Sequence, residues 1–159
     1  MNSLLSKLKW AYSLLVSGGN SLQSLFLLFV RLYWGWQFFQ TGWGKLHNLP
    51  HVVEFFASLG IPAPALNAYF VSGLECFGGI LLAVGLGSRL LALLFTADML
   101  VAYLTADRAA LFSIFSKPED FYAAAPYTFL VASLIVLIFG PGRFALDDIA
   151  ARWWERRSV

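Results

Sequence analysis

The stretch that decides the fold is LNAYFVSGLECFGGILLAVGLGSRLLALLFTADMLVAYLTA, residues 66–106. It contains two apolar segments, 66–86 and 88–106, each close to the ~20 residues that a helix needs to cross a bilayer. The tetrapeptide GLGS at 85–88 separates them and favours a tight turn. The stretch therefore predicts two antiparallel membrane-spanning helices joined as a hairpin.

The composition indicates an integral membrane protein. Apolar residues make up 59% of the 159 residues and charged residues 13%, whereas soluble domains average ~45–50% and ~25%. The excess apolar surface must face lipid, because a soluble protein of this size could not bury it. The formal net charge of +2 is too small to indicate nucleic-acid binding. The single cysteine, Cys76, excludes an intramolecular disulfide, a CxxC redox pair and a thiolate-rich metal site.

Two more apolar segments, about 22–41 and 122–139, predict two further spans. The predicted fold class is therefore an all-α, integral membrane four-helix bundle in a single domain, residues 1–159. The first twenty residues do not resemble a cleaved signal peptide, because lysines interrupt their apolar run.

Three segments outside the spans are predicted to lie at the membrane surface. Residues 3–17 have the apolar spacing of an N-terminal amphipathic helix, with a frayed tail as the alternative, and the GGNS sequence at 18–21 is expected to end it. Prolines and a glycine restrict 45–65 to a short outer capping helix, interfacial or re-entrant, which is too short to cross the membrane. The basic segment 143–157 is expected to form a C-terminal interfacial helix.

The distribution of cations predicts the topology. Four crossings place both termini on one side, where seven cations are expected: Lys7, Lys9, Arg89, Arg143, Arg152, Arg156 and Arg157. The opposite side has three: Lys45, Arg108 and Lys117. Seven against three favours cytoplasmic termini.

Three ionisable residues, Arg31, Glu75 and Asp98, fall within the predicted spans. Each costs ~2.5–3.5 kcal/mol or more at mid-depth, so each needs a structural or functional reason. Their distances from the span ends place all three near one depth, which predicts a buried cluster in which Arg31 pairs with one or both carboxylates. Two interpretations stay open: a proton-handling or ligand-binding centre, and an ion-pair staple that fixes helix register.

Other polar residues are candidates near the outer face. Lys45 either extends to the headgroups or contacts an anion or a quinone oxygen at the mouth of the bundle. His47, His51 and Glu54 have ligand types that bind metals, but no HExxH motif accompanies them. We expect no metal site and interpret the histidines as solvated interfacial residues.

Three motifs in order resemble the DoxX family of small four-span inner-membrane proteins. They are RLxxGxxFxxxGxxKL at 31–46, ExxGGILLxxGLxxR at 75–89 and FGPGRxxLD at 139–147. The resemblance implies a bacterial inner-membrane location, and the characteristic Arg, Lys and Glu of the family map onto Arg31, Lys45 and Glu75. A related subunit belongs to an archaeal thiosulfate:quinone oxidoreductase, and other members are associated with redox-stress complexes or copper-linked gene clusters.

Two functions remain open on this basis. In the first, the chain is a membrane subunit of a redox or stress-related system that binds quinone, or another small lipophilic redox ligand, through Arg31, Glu75, Asp98 and Lys45. Redox partner proteins would then supply the electron-transferring cofactor, because the chain has no haem, flavin or iron–sulfur motif. In the second, it is a non-catalytic anchor or a small-solute transport component with structural buried charges. Either function is compatible with a homo-oligomer.

Overall fold

The computed structural model describes residues 2–155 and Arg157, and this part of the chain is helical without β-strands. Arg156, which contributes to the predicted charge asymmetry and to the segment 143–157, lies outside the described residues. The helices, in chain order, are α1 (Asn2–His47), α2 (Leu49–Ser58), α3 (Pro64–Gly73), α4 (Gly79–Val84), α5 (Ser88–Thr105), α6 (Arg108–Phe112), α7 (Pro118–Ala123), α8 (Pro126–Phe139) and α9 (Leu146–Glu155). A π-helical segment, Leu74–Gly78, joins α3 to α4.

Within the described residues, three helical stretches are long and apolar enough to cross a membrane: Tyr12–His47 of α1, the continuous stretch Pro64–Val84, and α5. The fourth predicted span is shorter than expected, since α8 has 14 residues. A helix running through 122–139 is prevented by Pro126, whose ring would clash with a carbonyl one turn earlier. Ala124 accordingly takes an extended conformation, and α7 ends at Ala123.

The prediction of a separate helix at 3–17 is wrong. The α1 helix runs without interruption from Asn2 to His47, about 69 Å at 1.5 Å per residue. Gly18 and Gly19 cost only ~1 kcal/mol each in a helix interior, and no proline forces a break. Ser21 does not cap a new helix, because its Oγ donates to the Ser17 carbonyl 3.0 Å away, within the same helix.

Small residues allow α1 and α4 to pack closely. A Cβ atom at Gly35 would lie 2.7 Å from the Gly79 carbonyl oxygen, and one at Gly79 would lie 2.6 Å from the Gly35 carbonyl oxygen. Further inside the bundle, the rings of Phe38 and Phe95 stack with centroids 3.8 Å apart. These contacts join α1 to both α4 and α5.

The loop after α8 returns to the turn between α4 and α5. The Asp147 backbone N–H donates to the Gly85 carbonyl over 2.9 Å. At the other end of α5, the Tyr103 hydroxyl donates to the carbonyl of Phe121, just before α8. The helices α5 and α8 are therefore antiparallel. We call the end of the bundle that contains residues 85–88 the turn end, and the end that contains α2 the cap end.

Candidate functional site

A cavity of about 370 Å³ lies at the cap end, beneath α2 and the loop that follows it. Its walls are mainly apolar and aromatic, with contributions from Val52, Phe55, Phe56, Leu59, Ile61, Val71, Met99, Val101 and Ala102. Its polar lining residues are Lys45, His51, Asn67, Glu75, Asp98 and Thr105. An apolar pocket with a few convergent polar groups is the usual form of a small-molecule site.

Lys45 and Glu75 form an ion pair in this cavity, with Nζ and Oε1 2.7 Å apart. The Glu75 side chain is 3% exposed, whereas that of Lys45 is 34% exposed. The carboxylate is therefore withdrawn from solvent and the ammonium group lies at the opening of the cavity. Because Lys45 has three donors and Glu75 occupies one, the ammonium retains donors for a ligand oxygen.

The local backbone explains how Glu75 reaches the cavity. Glu75 lies in the π-helical segment, and single π-turns are frequent at functional sites. Gly42 of α1 packs directly against this segment, because a Cβ atom there would collide with the backbone of Glu75 and Cys76. This close approach sets the position of Lys45, one turn after Gly42, relative to Glu75.

Asp98 of α5 supplies a second carboxylate to the same cavity. Its Oδ2 atom is buried and has no hydrogen-bond partner among the described residues, and the same is true of Glu75 Oε2. Buried polar atoms without partners are costly. Two such acceptors beside one ammonium group form a site that a ligand or proton would complete.

Arg31 lies elsewhere, so the prediction that it pairs with Glu75 or Asp98 is wrong. It is fully buried, and its Nη2 donates to the Phe144 carbonyl oxygen over 2.8 Å at the turn end. Fourteen residues of α1 separate Arg31 from Lys45, about 21 Å along the helix. The predicted depth of Arg31 is measured from residue 22 as the start of the first span. Because α1 continues through residue 22 without a boundary, that depth does not apply.

Asp147 lies near Arg31 at the turn end and binds the start of α5. Its carboxylate accepts hydrogen bonds from the N–H groups of Gly87 and Ser88, at 2.7 and 2.8 Å, and thereby caps α5. Burial alone would raise the pKa of this carboxyl, but the two backbone hydrogen bonds and the positive charge of Arg31 hold the pKa below its usual value. The Asp147 carboxylate therefore joins α9 to the start of α5, and the nearby charge of Arg31 on α1 stabilises its ionised form.

The histidines and Glu54 do not form one cluster. His51 lines the cavity, whereas His47 Nδ1 lies 2.9 Å from the Trp43 carbonyl oxygen and Glu54 is exposed. Residues 2–155 and 157 contain no group of three or more His, Cys, Asp or Glu side chains placed to hold a metal ion.

Sequence reasoning missed several residues of these two sites. Asn67 and Thr105 line the cavity. Each is a single polar residue near a helix end, which in the sequence does not distinguish a cavity-lining residue from a solvated one. In the sequence, Asp147 stands out only as part of the FGPGRxxLD motif. Asp147 follows the buried Ala145 by two residues. No sequence pattern there predicts that its carboxylate caps α5, which begins 59 positions earlier at Ser88.

Comparison with known proteins identifies the family. The DoxX family model matches residues 26–108, more than half of the chain. The chain belongs to the DoxX family. A relative from Bacillus subtilis (strain 168), named "Putative oxidoreductase CatD", is 29% identical over 132 residues, which cover 83% of this chain and 92% of the relative. No solved structure matches the chain significantly. The match includes Arg31, Lys45, Glu75 and Asp98, and so covers residues from both the cap-end cavity and the turn-end cluster.

Proposed function

We propose that this DoxX protein is a membrane subunit of a redox or stress-related system and binds a quinone, or a similar flat lipophilic redox ligand, in the cap-end cavity. The observation that carries the proposal is the cavity itself: aromatic walls surround Lys45, Glu75 and Asp98, and two of the carboxylate oxygens have no partner among the described residues. The name of the Bacillus relative supports a link to oxidoreductase chemistry.

The roles of the three charged residues follow from their positions. Lys45 donates a hydrogen bond to a ligand oxygen, since it lies at the opening and retains free donors. Glu75 holds the ammonium in place. Asp98, which has no ion-pair partner in the described part of the chain, is the group available to exchange a proton with the ligand. Redox partner proteins supply the electrons.

We also propose how the helices cross the membrane. The two helical stretches Pro64–Val84 and α5 cross the bilayer as a hairpin, α1 makes the first crossing, and α8 returns the chain to the side of the turn end. Local thinning of the bilayer compensates for the shortness of α8. We propose that the chain lies in the bacterial inner membrane with cytoplasmic termini and that α2 covers the cavity on the outer side.

Binding of a short-chain benzoquinone to the detergent-solubilised protein tests the function. The variant Ala102→Phe introduces a large side chain into the cavity wall and is expected to weaken binding by about tenfold or more, roughly the loss of one good contact. Ala97→Phe makes the same substitution on the exposed face of the same helix and should bind like the original protein. If both variants bind equally, the cavity is not the site. No binding to any of the three proteins would favour the anchor function.

A further inference from the structure

A second concave site lies at the turn end, between α1 and the loop that follows α8. We call it the turn-end cleft. It has a volume of about 440 Å³, and its polar lining residues are Asn20, Gln23, Ser24, Arg89, Arg143 and Asp148. None of these residues contributes to the cap-end cavity. The turn-end cleft is therefore separate from the cap-end cavity.

The charge of the cleft is positive. Asp148 forms an ion pair with Arg152, which also donates to the Arg143 carbonyl oxygen over 3.1 Å, so the acid in the lining is neutralised. Arg89 and Arg143 have no ion-pair partner within residues 2–155 and 157. Two guanidinium groups thus face the cleft without compensating acids, an arrangement that favours an anionic ligand.

The backbone brings the loop close to Arg89. Gly140 has φ +80° and ψ −174°, a conformation essentially restricted to glycine, and a Cβ atom there would lie 3.1 Å from Arg89 Nη2. Gly142 also has a positive φ, +78°, and packs beside Leu27 of α1. The glycines therefore let the loop fit between α1 and α5 and bring Arg89 and Arg143 to the same cleft.

The surroundings of the cleft are apolar and exposed. Phe139, which lines the cleft, is 59% exposed, and Leu90, next to Arg89, is 64% exposed. On the α1 side, Leu22 is 64% exposed and Phe26 52% exposed. A cationic, hydrogen-bonding cleft flanked by apolar side chains matches the junction between lipid headgroups and acyl chains.

We propose that the turn-end cleft binds the headgroup of an anionic phospholipid. The two guanidinium groups contact the phosphodiester oxygens, for which their planar forks are suited, and the amide groups of Asn20 and Gln23 donate to headgroup oxygens. The acyl chains lie along the exposed apolar residues. A basic pocket between helices on the cytoplasmic side is the usual form of such lipid sites.

Native mass spectrometry of the full chain tests the proposal, with equal amounts of phosphatidylglycerol and phosphatidylcholine added in detergent. We expect selective retention of phosphatidylglycerol. Each cation near an anionic headgroup contributes about fivefold, so Arg89→Gln with Arg143→Gln should reduce that preference about 30-fold. The single change Arg143→Gln removes one exposed side chain, keeps the fold and should reduce it about fivefold.

The matched control is Arg108→Gln with Lys117→Gln, which removes the same charge from exposed positions outside the cleft. It should retain the original preference. Equal losses in the two double variants would show general electrostatic attraction and overturn the proposal, as would an unchanged preference in Arg143→Gln. Displacement of the lipid by millimolar inorganic phosphate would also overturn it, because the cleft would then bind a free anion and not a lipid.

Discussion

Arg31 donates a hydrogen bond of 2.8 Å from Nη2 to the carbonyl oxygen of Phe144, 113 positions further along the chain. This contact fastens the first long helix to the loop that precedes α9. Arg31 therefore lies far from the acids of the cap-end cavity, and the described residues contain a buried charged centre at each end of the bundle. We expect the turn-end centre to stabilise the fold and the cap-end centre to bind the ligand.

We expect Arg31→Leu to destabilise the protein by about 1–3 kcal/mol, because it removes the buried hydrogen bond that the charged guanidinium group donates to the Phe144 carbonyl oxygen. Its effect should be additive with that of Glu75→Gln, since the two residues do not interact, and non-additive with that of Asp147→Asn. Thermal unfolding in detergent measures both cycles. Coupling of Arg31 to Glu75 above about 0.5 kcal/mol would contradict the separation of the two centres.

Lys45→Met should cost about 2–3 kcal/mol, less than a fully buried pair because Lys45 is one-third exposed. The cost arises mainly from the Glu75 carboxylate left buried without its cation. Glu75→Gln in the same chain should therefore restore part of the stability, but quinone binding should stay weak because the donor at the opening is missing. Lys117→Met, at an exposed position, is the control and should change stability by no more than about 0.5 kcal/mol.

The contact of Gly42 with the π-helical segment gives a matched pair of substitutions on one helix. Gly42→Ala places a Cβ against the backbone of Cys76 and should destabilise by about 1–3 kcal/mol or more, since backbone cannot move aside cheaply. At Gly44, an added Cβ has no packing neighbour within 4 Å among the described residues, so Gly44→Ala should be neutral or stabilising by up to about 1 kcal/mol through helix propensity. Equal unfolding temperatures for the two variants would show that α1 does not pack there.

The titration of Asp147 should make the free energy of unfolding depend on pH. Its folded-state pKa lies below its usual value, so its contribution is fully present above the unfolded pKa, about 3.9, and is lost as the pH falls through the folded-state pKa. In Asp147→Asn this loss should disappear, and the unfolding temperatures of the two proteins should converge toward low pH. Unfolding scans between pH 7 and pH 2.5 measure the difference. A constant gap across that range would contradict the assignment.

The proposed topology predicts where a reporter fused to the C-terminus is active. Seven cations on the side of the termini favour a cytoplasmic location, so a fused green fluorescent protein should fluoresce and a fused alkaline phosphatase should stay inactive. A second phosphatase fusion within the loop 113–117 should be active, because that loop lies at the other end of α5. The reverse pattern would invert the proposed orientation.

Much of the helical architecture could be predicted from the sequence. Apolar runs of about twenty residues and the GLGS turn predicted the hairpin, because a chain in lipid must satisfy its backbone hydrogen bonds within each helix. The short helix between the prolines of 45–65 is present as α2 for an equally local reason. The order of three motifs also indicates the DoxX family, which the family model confirms over residues 26–108.

Tertiary structure alone decided which charges meet. Depth estimates require known helix starts, and the continuity of α1 through Gly18 and Gly19 removed the assumed start. The register of α1 against α4, set by Gly35 and Gly79, then placed Lys45 and not Arg31 opposite Glu75. The sequence identifies charged residues within the spans, which must be buried with partners. Which residue on another helix becomes the partner depends on how the helices pack against each other, and that packing is set by contacts between residues distant in the sequence.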